Sequence, residues 1–152
     1  MRFILWIVLA GLSAAGCGGG GGGEKKAKLD IGASGRFLAA GLQKGRMGDY
    51  DGAIEDFTKA IEAYPGSSLA FRNRAVARRE KGDYPGALAD FDAAVGLEPE
   101  DPIALAGRAV VKVYLRKDAE AQQDYNEAVR LRPDFRSNLD ADMAKARTKR
   151  GG

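Results

Sequence analysis

The side chains that could do chemistry in this chain are few, and the missing ones narrow the field first. Among 152 residues there is no histidine, which removes the commonest general base and the commonest metal ligand together. Cys17 is the sole cysteine, so no internal disulfide can form. No Ser-x-x-Lys or Gly-x-Ser-x-Gly arrangement offers an activated serine. Carboxylates such as Glu55, Asp56, Asp90 and Asp92 fall at positions expected to face solvent. The sequence therefore predicts no catalytic residue, no metal site and no cofactor. Groups that could instead recognise a partner crowd one stretch: Arg72, Arg74, Arg78 and Arg79. Arg72 and Arg79 are expected to meet acidic groups on a partner, and Arg74 and Arg78 to pair with carboxylates of adjacent helices. Lys and Arg number 24 against 21 Asp and Glu, a net charge of +3, too even to argue for nucleic acid.

The remaining reactive group is the Cys17 thiol, and its chemistry follows from its neighbours. Met1-Arg2 is a positive start, residues 3–12 are apolar, and Ser13-Ala14-Ala15-Gly16 is a small-residue segment. That is the layout of a secretory signal, and its apolar run falls short of the roughly 20 residues a membrane span needs. Leu12-Ser13-Ala14-Ala15-Gly16-Cys17 resembles the lipobox of bacterial lipoproteins. The resemblance implies that residues 1–16 are removed and that the mature chain starts at a lipidated Cys17, with diacylglycerol on sulfur and an acyl chain such as palmitate on the new amino terminus. Several acyl chains, at about 0.8 kcal/mol per buried methylene, would hold the chain permanently at a bilayer. In the lipoprotein family that this segment resembles, Asp after the cysteine favours retention in the inner membrane, so by that resemblance Gly18 implies export to the outer membrane, facing the periplasm. Gly18 to Gly23 is unbroken glycine, followed by Glu24-Lys25-Lys26-Ala27-Lys28. Residues 17–33 thus read as lipidated cysteine plus a flexible tether with a reach of about 22 Å.

Stepping along from the tether, one unit repeats. Residues 68–99 carry Phe71, Ala75, Gly82-Asp83-Tyr84, Ala87, Phe91, Ala94 and Pro99. A shift of 34 residues lays them on Phe37, Gly41, Gly48-Asp49-Tyr50, Ala53, Phe57, Ala60 and Pro65. The opposite shift gives Leu105, Ala109, Ala121, Tyr125, Ala128 and Pro133. A fixed period of roughly 20 to 50 residues marks a solenoid. Gly41, Ala75 and Ala109 are small where one helix must approach its partner closely, and the aromatics fill the space between successive helices. Asp49, Asp83 and Asp101 are expected N-caps, with Pro65, Pro99 and Pro133 after the helix ends. Ile54, Ile61, Leu88, Val95 and Leu97 continue the apolar stripe.

The third copy departs from the pattern. Arg116-Lys117-Asp118 stands in place of Gly-Asp-Tyr, so its turn is expected to be less regular, with Asp118 as cap. Gln122 and Gln123 replace apolar residues. The third repeat should be the loosest. Beyond it, Asp134 is expected to cap a helix that runs to about Lys149 and buries Phe135, Leu139, Met143 and Ala146 as a lid on the open end. Lys145, Arg147, Lys149 and Arg150 read as solvated, with an acidic lipid surface as the competing reading.

The 34-residue unit resembles the tetratricopeptide repeat, a helix-turn-helix family. The resemblance implies an all-α fold: an α-solenoid of three repeats (34–67, 68–101 and 102–133) plus a C-terminal capping helix (134–152). It also implies a groove lined by the first helix of each repeat and suited to a protein or peptide partner. By that resemblance the groove residues are Leu38, Leu42 and Gly45, then Arg72, Asn73, Val76 and Arg79, then Ile103, Ala106 and Val110. Some members grip a terminal carboxylate with Lys and Asn in the first repeat, Asn in the second, and Lys and Arg in the third. Here only Asn73 matches, with Leu38, Leu42, Ile103 and Gly107 at the other places, so that clamp is not expected. The function these features suggest is a non-enzymatic adaptor tethered in a bacterial envelope. Two alternatives stand beside it, a structural homo-oligomer and a cytosolic co-chaperone whose amino terminus is not a lipobox.

Overall fold

A computed structural model describes residues 29–151. The expected signal peptide, Cys17 and most of the tether lie outside the described residues. The fold is all-α, with seven helices and no strand among the described residues. Helices α1 (Ile31–Arg46) and α2 (Tyr50–Ala63) form the first hairpin, α3 (Ser68–Lys81) and α4 (Tyr84–Leu97) the second, α5 (Pro102–Tyr114) and α6 (Asp118–Leu131) the third. A short 3-10 turn, Pro133–Phe135, leads into α7 (Arg136–Gly151). Helix α3 stacks on α2, α5 on α4, and α7 lies against α5.

Local chemistry sets where the helices begin. The side chains of Asp49, Ser67, Asp83 and Asp101 accept hydrogen bonds from the backbone N–H groups of Gly52, Ala70, Gly86 and Ile103, each such cap being worth typically about 1 kcal/mol. Asp30 does the same for Ala33, so α1 starts at Ile31, inside the stretch read as tether.

Close packing follows from the small residues. A Cβ at Gly41 would stand 2.6 Å from Phe57 Cε1, and one at Gly107 would stand 2.3 Å from Phe91 Cζ. Both rings are nearly closed to solvent. Glycine at these two positions lets a helix lie directly on an aromatic face; a larger side chain would push α1 from α2 at Gly41 and the second hairpin from the third at Gly107.

Five expectations need correction. The third turn is as regular as the others: the amides of Asp49, Asp83 and Lys117 donate to Lys44, Arg78 and Lys112 carbonyls at 3.0, 2.9 and 2.9 Å. Arg116 takes a left-handed backbone (φ 61°) where Gly48 and Gly82 sit at 80° and 85°. The cap position is held by Lys117 without a side-chain bond, and Asp118 is already helical.

Nor is the third repeat loose, because α7 covers it. Val110, Val111 and Val113 are buried, in part against Leu139 and Met143. Gln122 and Gln123 are exposed; they cost little because Ile54 and Leu88 are themselves only half-buried at the equivalent place. Leu97 is 44% exposed and so outside the core. Asp134 lies within the 3-10 turn, and the capping helix starts two residues later.

Candidate functional site

Helices α1, α3 and α5, the first of each hairpin, and α7 present one continuous face. Two recesses of about 210 Å3 each open on it and meet at Val76. The first is walled by Leu42, Tyr50, Phe57, Asn73 and Ala77, with Arg46 at its edge. The second is walled by Ile103, Ala106, Val110, Phe135 and Leu139, with Arg79 and Asp142 at its edge. Both arise for one reason: successive first helices touch each other only lightly, being held apart by the second helix between them. Asn73 Nδ2 donates to the Leu69 carbonyl at 2.7 Å, so its oxygen remains an acceptor toward the first recess. Beyond the second recess, Tyr84 and Tyr114 stack at 4.1 Å between centroids. Burial, and next the neighbouring Tyr84, raise the pKa of Tyr114, so its phenol stays a neutral donor.

This arrangement is built to hold an extended or helical segment by apolar side chains, with few polar groups to orient it. The profile of the tetratricopeptide repeat family matches residues 38–102 and again 76–134. The chain belongs to that family. No curated protein matches the sequence. Among solved structures, it is similar to the first TPR of Spaghetti (RPAP3) bound to the HSP90 peptide SRMEEVD: 26% identity, TM-score 0.72, with 82% of this chain and 98% of that one covered. It is similar as well to the second TPR domain of human RPAP3 in complex with the HSP70 peptide SGPTIEEVD: 26% identity, TM-score 0.66, 74% of this chain and 97% of that one covered. The Arabidopsis OM64 TPR domain shares the fold at 21% identity and TM-score 0.71, with 78% and 98% covered. Tetratricopeptide repeats are a protein-interaction fold, and this chain resembles peptide-binding examples of it.

The residues expected to line a tetratricopeptide groove divide into two groups. Leu42, Asn73, Val76, Arg79, Ile103, Ala106 and Val110 all lie on the recesses. Leu38 packs into the cluster of Ala53, Phe57 and Ala77 beneath the face. Arg72 points elsewhere, to a cleft with Leu97, Pro99 and Pro102, where it is paired with Asp101. It is therefore engaged within the chain rather than offered to a partner. Arg79 makes a double contact with Glu80 at 2.7 and 3.2 Å, which takes up part of its charge. Cys17 lies outside the described residues.

The expectation that Arg74 and Arg78 pair within the fold is met at Asp90. Arg74 forks onto both its oxygens at 2.7 and 2.9 Å, and Arg78 adds a third bond at 2.8 Å. The expectation that the carboxylates are solvated fails for two of the four named. Asp56 and Asp90 are 5% and 3% exposed, as Asp124 is 6%, because each faces cations on the first helix of its own repeat. The residues missed on the groove are Tyr50, Phe135, Asp142 and the α7 lysines. A signal for those on or beside α7 existed: one further step of 34 from Leu105 and Ala109 lands on Leu139 and Met143, marking α7 as the first helix of an unfinished fourth repeat.

Proposed function

We propose that this chain is a non-catalytic adaptor that takes a peptide segment of another protein into the groove of α1, α3, α5 and α7. We further propose that lipid on Cys17 keeps it at a bacterial membrane, on the periplasmic side of the outer membrane. The observation that carries the adaptor reading is the pair of apolar recesses meeting at Val76, which the chain's own side chains do not fill. The bound peptides of the RPAP3 domains support a peptide as the class of partner. A carboxy-terminal peptide held by a clamp is not favoured, since Leu38, Leu42, Ile103 and Gly107 replace the cations and amide such a clamp uses. Support for the membrane part is the lipobox and glycine tether in the sequence, and support for the absence of catalysis is a chain without histidine in an interaction fold.

A photo-crosslinking residue at position 76, used in cells, tests both parts. A partner protein should be captured, capture should fall about tenfold or more when Leu42→Arg puts a charge into the first recess, and Cys17→Ser should move the chain out of the membrane fraction. Capture that ignores Leu42→Arg would remove the groove from the account, capture of only a second copy would make the protein a homo-oligomer, and membrane retention of Cys17→Ser would remove the lipid.

A further inference from the structure

The end of the groove beneath α7 carries charges that the fold does not use. Lys145 and Lys149 stand one helical turn apart, both exposed, and among the described residues neither lies within ion-pair distance of a carboxylate. Their neighbours on the same helix differ: Arg150 binds the Asp118 carboxylate at 2.8 Å and the Val113 carbonyl at 2.7 Å, and Arg147 reaches Asp118 at 3.9 Å. So Arg147 and Arg150 fasten the end of α7 to the third repeat, and Lys145 and Lys149 beside them are left over. The spare pair borders a recess of about 100 Å3 floored by Val110 and the Tyr84–Tyr114 stack, with Arg79, Glu80 and Asp142 at its rim. That recess shares Arg79, Val110 and Asp142 with the apolar recess beside it. Glu80 is taken up by Arg79, which leaves two ammonium groups facing one carboxylate, Asp142. Lys149 and Arg79 also lie close enough to Tyr114 to act on its phenol.

We propose that α7 is a reading element as well as a lid: Lys145 and Lys149 select a partner peptide whose apolar residue fills the second recess and whose next residues carry Asp or Glu side chains. The inference rests on the groove reading above and names its partner chemistry. The spacing favours acidic side chains over a chain terminus. Ammonium groups at i and i+4 stand about 5–6 Å apart at their Cβ atoms and are mobile point charges, so each can take its own carboxylate. A single terminal carboxylate would need donors that converge on one point. Such rim charges set selectivity and association rate more than they add packing.

Panning a library of random displayed peptides on the full chain tests this, with wild type, Val76→Arg and the double variant Lys145→Glu, Lys149→Glu in parallel. Both lysines are exposed and, among the described residues, unpaired, so the double variant should keep its helical circular dichroism and melting temperature. Wild type should enrich peptides with acidic residues beside an apolar one; these should lose about tenfold or more in affinity on the double variant, which should select basic residues instead. Peptides lost on Val76→Arg but bound equally by the double variant overturn this inference and leave the groove reading intact. Peptides indifferent to Val76→Arg, or no enrichment at all, overturn both. Binding of phosphatidylglycerol vesicles that disappears in the double variant, without acidic preference in the peptides, assigns the lysines to lipid and likewise overturns it.

Discussion

Asp56 in the first repeat and Asp90 in the second hold the same place in the 34-residue unit and are buried alike, yet their partners differ. Asp90 is gripped by the Arg74 fork and by Arg78, and Asp124 in the third repeat by an Arg108 fork at 2.7 and 2.8 Å and by Lys112 at 2.8 Å. At Asp56 the fork position is Ala40. Lys44 approaches Oδ2 at 2.7 Å, but without hydrogen-bond alignment, so that oxygen has an ion pair and no aligned hydrogen bond. The difference has a structural reason. Arg74 and Arg108 each send their third nitrogen back to the preceding hairpin, to Thr58 and Asp92 at 3.0 Å. The fork is a stitch between repeats, and among the described residues no helix precedes the first repeat for such a stitch to reach. Solenoid stability is the sum of repeats and of the junctions between them, so the carboxylates belong to junctions in repeats two and three and to a single hairpin in repeat one.

The sharpest way to break that contrast is to remove the cation from each site in turn. Arg74→Ala leaves a buried carboxylate short of two bonds and also cuts the tie to Thr58, so it should destabilise the chain by about 3 kcal/mol, the low end of what an uncompensated buried charge costs, since Arg78 remains. Lys44→Ala should cost clearly less, because the Lys44 side chain is 39% exposed and solvent already screens the pair. Urea unfolding of the two variants measures both. Equal losses would mean that the fork does no stitching.

A second contrast separates the turns. Gly82 at φ 85° is unstrained, whereas Arg116 at φ 61° holds a side chain in a region that costs a non-glycine residue about 1–2 kcal/mol. Gly82→Ala should therefore lower stability by about 1–2 kcal/mol, and Arg116→Gly should raise it by about 1 kcal/mol, less what is lost with the Arg116 bond to the Arg150 carbonyl at 3.1 Å. Thermal melts of both variants read the signs directly. A Gly82→Ala chain as stable as wild type would show that the turn tolerates any residue.

The fold was legible because its determinants recur. Phe57 and Phe91, Gly41 and Ala75, Asp49 and Asp83 are local in type and repeat at 34, so type and period together name the hairpin. The third turn misled because residue type was taken for conformation: the hydrogen bond from Lys117 to Lys112 imposes the left-handed residue between them whether or not it is glycine. The carboxylates misled for the opposite reason. Asp56, Asp90 and Asp124 are also 34 apart, but burial of an acid depends on a cation from another helix, and a charge on a helix normally means solvent. On the groove, Val76, Ile103 and Val110 were expected from the resemblance to the tetratricopeptide repeat and lie on the recesses, whereas Arg72, expected there too, does not, because Asp101, on the loop after α4, turns it away.

The smallest effect expected is also the one that isolates the stitch from the ion pair. Ala40→Arg places at the first repeat the side chain that repeats two and three carry at the same register, with no preceding hairpin among the described residues for its third nitrogen to bind. If the fork stabilises its own hairpin, the variant should gain about 1 kcal/mol, the scale of a net hydrogen bond to a charged partner after side-chain ordering, and the gain should vanish on adding Asp56→Asn. If the fork is useful only as a link to a preceding helix, Ala40→Arg should be neutral in both backgrounds. A gain that survives Asp56→Asn would come from helix propensity alone, and would remove Asp56 from the explanation.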